Sequence, residues 1–238
     1  QGAMQQTFGT VNGKLVLEYS QMTNSGRCID KIAAFDPTAV VGNQVKRLAV
    51  PATHSGAEIS MAGPQQFTLF NNKLYFYAFN GTANANQAEF WSTDGTDAGT
   101  QAVAAYGSAF HGVSFRNGTV MRPTIAGSYL YFAGADPSAN NEAYAIFRTN
   151  GASYEKWIAS TVVTNIGKRS NAPAGVIGSG NSLKLILDGQ ANVAANANPE
   201  PHNNEMNAVD LTAKTSVKLV ETGAEGSNPS YWGGLGCD

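Results

Sequence analysis

The chain has 238 residues and a formal net charge of −2, and only 13 % of its residues are charged, about half the usual share of ~25 %. This balance gives no electrostatic basis for binding nucleic acid or an anionic membrane. No run of 18 apolar residues occurs, so we expect no membrane insertion. The length, together with 26 glycines, is typical of one all-β domain with many tight turns.

A four-fold internal repeat runs along the chain. Each repeat begins with a polar turn followed by an apolar strand, and the first leucines of these strands are spaced 59, 56 and 53 residues apart. Spacing on this scale indicates an array of supersecondary units, none of which buries its apolar face alone. The four leucines are Leu15, Leu74, Leu130 and Leu183.

Each repeat continues with a further strand and a turn that contains Asp or Asn. Asp94-Gly95 corresponds to Asn150-Gly151, and these dipeptides predict hairpins with type I′ turns. Asp36 corresponds to Asp210, where Asp-x-Thr can close a turn through side-chain bonds to its own backbone. The unit is therefore a four-stranded antiparallel meander. Four such units predict an all-β fold, a four-bladed β-propeller.

We expect a single propeller domain over residues 5–238. The first four residues, 1–4, look like the remnant of an expression tag and are left out of the fold. The predicted blades are approximately 5–58, 59–117, 118–170 and 171–226, and a closing tail covers 227–238.

The second repeat carries a more specific motif. From Glu89 the chain reads Glu-Phe-Trp-Ser-Thr-Asp-Gly-Thr, after the strand that begins at Leu74. This segment resembles the bacterial repeat Glu-Leu-Trp-x-x-Asp-Gly-Thr, with Phe90 at the Leu position, and the third repeat keeps a degenerate form. The resemblance implies propeller-like blades in a large secreted or surface-attached bacterial protein. It implies no particular reaction, because one fold hosts many functions.

The two cysteines, Cys28 and Cys237, lie in the first repeat and next to the end of the chain. A propeller closes its ring by joining the last blade to the first, so a disulfide between them would lock the closure. The alternative is two free thiols, which is the usual state in a reducing compartment. We predict the disulfide.

The histidines do not predict a metal site. His54, His111 and His202 lack metal-ligand spacing, and no cysteine or carboxylate cluster accompanies them. His54 and His111 occupy corresponding connections between blades, which leaves open a shared site or two solvated side chains. We expect no metal and no cofactor.

The carboxylates do not predict a catalytic set either. Propeller glycosidases need two or three converging carboxylates, and only Glu58, Asp136 and Glu142 are even loosely placed for this. The sequence therefore predicts no catalytic residue. The remaining candidates are interpreted as turn or strand residues with structural roles: Asp36, Glu89, Asp94, Asp97 and Asp210.

Aromatic and basic residues concentrate in the connections between blades and in the tail. Tyrosine and tryptophan rings stack on sugars, and arginines bind their hydroxyl groups, although the same rings can simply pack under loops. A long Asn/Ala insert at 190–204 departs most from the repeat, and such insertions map to one face that often binds. The predicted ligand-binding residues are Tyr106, His111, Arg116, Arg169, Tyr231 and Trp232.

These observations favour a non-catalytic recognition module of an extracellular, cell-surface or periplasmic bacterial protein. The expected partner is a glycan or another cell-surface component, bound for adhesion, and the module would suit the head of a larger, oligomeric surface fibre. The alternatives are a carbohydrate-active propeller enzyme of the glycosidase or lyase type and a purely structural assembly domain.

Overall fold

A computed structural model provides the tertiary structure. Its described residues form eighteen β-strands and one 3₁₀ turn, with no α-helix among them. Within this part of the chain, no helix is long and apolar enough to cross a membrane. The described ranges are 8–22, 28–48, 59–60, 67–80, 87–103, 113–114, 123–135, 144–158, 172–190 and 204–221.

Three of the four sheets are antiparallel meanders of four consecutive strands. The first contains β1 (Phe8–Val11), β2 (Lys14–Met22), β3 (Cys28–Phe35) and β4 (Val45–Arg47). The third contains β11 (Thr124–Ala126), β12 (Tyr129–Ala135), β13 (Tyr144–Thr149) and β14 (Tyr154–Ile158). The fourth contains β15 (Ala172–Ile177), β16 (Lys184–Gln190), β17 (Asn204–Asp210) and β18 (Ser216–Glu221), with the 3₁₀ turn Gly180–Ser182 before β16.

The second sheet has the same plan, but each of its edges is divided into two short strands. Its strands are β5 (Ile59–Ser60), β6 (Thr68–Phe70), β7 (Lys73–Asn80), β8 (Gln87–Thr93), β9 (Gln101–Ala102) and β10 (Val113–Ser114). Strands β5 and β6 pair with opposite ends of β7, while β9 and β10 pair with β8. Four strand positions therefore hold six strands.

The predicted all-β class and the four antiparallel blades are confirmed. By chain contacts the protein divides into two compact units, Gln1–Phe115 with the first two sheets and Arg116–Asp238 with the last two. Every sheet is built from strands of one continuous stretch of chain. Closure of the four blades into a ring remains a prediction.

Type I′ turns occur at different positions from those predicted. The β1–β2 turn has positive φ at both Asn12 (49°) and Gly13 (74°), and the β6–β7 turn has it at Asn71 (46°) and Asn72 (57°). These are the hairpins with type I′ backbone. At Asp94-Gly95 and at Asn150-Gly151 only the glycine has positive φ (84° and 91°), so the type I′ predictions there were wrong.

The turns between the third and fourth strands are instead closed by an Asp or Asn side chain. Oδ1 of Asp94 accepts hydrogen bonds from the backbone N–H of Thr96 (2.9 Å) and from its hydroxyl (2.6 Å). The corresponding residues accept equivalent backbone bonds in the other sheets, which confirms the predicted equivalences: Asp36, Asn150 and Asp210. Such Asx turns satisfy backbone donors without a tight two-residue loop.

The strand register corrects the alignment of the fourth repeat. Leu15, Leu74 and Leu130 each follow the residue that closes the first turn, and each pairs with the residue directly before the Asp or Asn. In the fourth sheet Leu185 occupies this position, paired with Val209. Leu183 lies before the strand, because the first turn of this sheet is a longer loop that contains the 3₁₀ turn.

The core of the first unit lies between its two sheets. Trp91 and Phe76, which are opposite each other in β8 and β7, are fully buried there. They join a cluster whose other members are Val11, Val16, Ile32, Ala34, Leu48 and Leu74. Burial of this apolar area from both sheets is the main term that holds the unit together.

The predicted disulfide is not tested. Cys28 is the first residue of β3, and Cys237 lies outside the described residues. The bridge stays a prediction.

Candidate functional site

The two ends of each sheet differ in how the chain connects its strands. At one end, which we call the turn end, the first strand is joined to the second and the third to the fourth. At the other, the loop end, the second strand is joined to the third and the chain enters and leaves the sheet. This arrangement follows from antiparallel meander topology.

The polar side chains at the turn end bond to other groups of the protein. In the second sheet the hydroxyls of Thr93 and Thr100 lie 2.7 Å apart in a buried position, and Thr93 also accepts the N–H of Gly95. Asp97 forms an ion pair with Lys46 of the first sheet, at 2.6 Å between Nζ and Oδ2. Asp97 is a turn residue, as predicted, since its carbonyl accepts the N–H of Thr100, and its carboxylate also links the two sheets. These polar groups therefore form hydrogen bonds and an ion pair within the protein.

The Asx carboxylates of the first and fourth sheets are likewise engaged. The hydroxyl and N–H of Thr38 lower the pKa of Asp36 from its ordinary value. The N–H groups of Ala213 and Thr212 lower the pKa of Asp210. Hydrogen bonds to the charged form produce this direction in both cases. Both side chains thus remain ionised turn caps rather than general acids.

The loop end carries the long connections. Thirteen residues, 159–171, join β14 to β15, and another thirteen, 191–203, join β16 to β17. By contrast, the first turns of three sheets have two residues, at 12–13, 71–72 and 127–128. Connections of this length on a rigid repeated scaffold are where binding residues are usually found.

All six predicted ligand-binding residues lie outside the described residues, and so do the three histidines and Glu58, Asp136 and Glu142. One described strand, β10, nevertheless lies between two of these residues in the sequence. Val113 and Ser114 pair with Ala88 and Gln87 at the loop end of the second sheet. His111 precedes this strand by two residues and Arg116 follows it by two.

The other predicted residues are related to the described strands by chain position. Arg169 precedes β15 by three residues, and Tyr106 follows β9 by four. Tyr231 and Trp232 belong to the tail that follows β18. Strand β15 begins at the loop end of the fourth sheet and β18 ends there, whereas Tyr106 belongs to the connection between β9 and β10, two strands on the same edge of the second sheet.

A charged cluster that the sequence did not predict lies on the third sheet. Arg148 donates from Nε to the carboxylate of Glu155, its neighbour across the β13–β14 pair. Its guanidinium carbon lies 4.1 Å from the centre of the Tyr129 ring, a cation–π contact. Aligned positions in the other sheets hold Ala34, Ser92 and Ala208. Comparison of the repeats at this position could have found it.

The polar groups of this cluster are bonded to one another within the sheet. Burial raises the pKa of Tyr131, and the hydrogen bond from Arg148 only partly offsets it, so the phenol stays neutral. Tyr131 also packs edge-to-face on Trp157, with ring centres 4.9 Å apart. The guanidinium is thus held by a carboxylate, a phenol and a ring. The arrangement stabilises the sheet and leaves the loop end as the candidate functional site.

Comparison with known proteins gives distant likenesses to solved structures. No family model and no curated protein matches the chain. Among solved structures, the β-propeller domain of the Trilobed protease from Pyrococcus furiosus is 8 % identical with a TM-score of 0.45, over 96 % of this chain. The chain spans 57 % of that structure's length.

Two sugar-processing enzymes are more distant in shape. An exo-1,5-α-L-arabinanase from a bovine ruminal metagenomic library is 10 % identical, with a TM-score of 0.33 over 91 % of this chain and 78 % of its own. An α-L-arabinofuranosidase from Clostridium thermocellum is 13 % identical, with a TM-score of 0.33 over 91 % of this chain and 72 % of its own. Likenesses at this level transfer no activity to the chain.

Proposed function

We propose that this chain is a non-catalytic recognition module that binds a glycan or another cell-surface component at the loop end of its sheets. The observation that supports the proposal is the pairing of β10 with β8 at that end, since His111 and Arg116 each lie two residues from β10 in the sequence. The turn ends, by contrast, use their polar side chains to cap turns and pair sheets.

The proposed setting is a secreted or surface-attached bacterial protein. It is supported by the resemblance of the second repeat to the Glu-Leu-Trp-x-x-Asp-Gly-Thr repeat. The predicted disulfide suits the same oxidising environment.

A glycan-binding assay with the whole chain tests this function. Stacking and a few hydrogen bonds at a small exposed site should give a Kd near millimolar, about −4 kcal/mol. His111→Ala and Trp232→Ala should each weaken binding at least several-fold, as measured by calorimetry, with melting temperatures close to that of the wild type. Val41→Ala, which alters an exposed side chain at a turn end, is the matched control.

Two results would overturn the proposal. A large fall in melting temperature for both variants would mean that these side chains are core residues. Release of reducing sugar from a polysaccharide, abolished by Glu58→Gln or Glu142→Gln, would establish an enzyme instead.

A further inference from the structure

We draw no further inference here: the strongest candidate, the cluster of Tyr19, Lys31 and Arg47 on one face of the first sheet, carries nothing because nothing in the structure shows what covers that face.

Discussion

At the scale of single residues, the loop after β8 is held by hydrogen bonds from its own side chains. The carboxylate of Asp94 accepts two hydrogen bonds from Thr96, and the hydroxyl of Thr96 in turn accepts the N–H of Gly99. The amide of Asn12 donates to the carbonyl of Asp94 at 3.2 Å. The loop therefore closes on itself and also contacts the neighbouring sheet, so each glycine and carboxylate has a steric or bonding reason to be present.

Gly99→Ala should destabilise the protein, because a Cβ at this position would lie 2.0 Å from Oδ1 of Asp94. Displacing a hydrogen-bonded carboxylate should cost about 1–3 kcal/mol, measured by chemical denaturation. Gly175→Ala is the matched control, since its Cβ would meet no atom within 4 Å. Equal stabilities of the two variants would contradict the described loop.

At the scale of elements, the strand register decides which residues of the repeats correspond. The first turn of the fourth sheet runs from Gly178 to Leu183, where three other sheets have two residues. This insertion shifts the equivalent leucine from Leu183 to Leu185, which is fully buried. Sequence similarity around Asn181-Ser182 hides the shift, because a polar turn before an apolar strand looks alike at either length.

The variants Leu185→Ala and Leu183→Ala should show which leucine of the fourth repeat corresponds to Leu15, Leu74 and Leu130. Removal of the buried Leu185 side chain should cost about 2–5 kcal/mol through lost burial and a residual cavity. Removal of the half-buried Leu183 side chain should lower the free energy of unfolding by about 1 kcal/mol or less. Urea denaturation of both variants measures the difference. A larger loss for Leu183→Ala would restore the original alignment.

At the scale of the whole molecule, each sheet takes all its strands from one stretch of chain, so the described strands exchange no partner between sheets. No pairing among the described strands therefore joins the first sheet to the fourth. A covalent link between Cys28 and Cys237 would supply such a tie, and it would close a loop of 209 residues.

Thiol titration of the denatured, unreduced protein should find no free thiol if the bridge forms. In the chain-entropy model the closed loop contributes up to roughly 5 kcal/mol, so reduction should lower the melting temperature. Cys28→Ser should show the same lowered value and no further response to reductant. Two reactive thiols per chain would exclude the disulfide.

Much of the fold could be predicted from local patterns. The sequence matched Asp36 with Asp210 and Asp94 with Asn150, because a turn depends on residues only two or three positions away, although the Asx geometry was predicted only for the first pair. The position of Arg148 was not anticipated, since its partners Glu155 and Tyr129 come from two other strands. The candidate ligand-binding residues could be named by type and by position in the chain, and their convergence on one site stays a prediction, because it depends on connections whose sequence has no periodic pattern.

The sequence by itself determined the strands, the four-fold repeat and the all-β class, because alternation, turn residues and strand length are local properties of the chain. Only the tertiary structure decided the register of the fourth sheet and the pairing of Asp97 with Lys46. These features depend on residues that are distant in the chain. Their free energy comes from contacts that exist only after the sheets have packed.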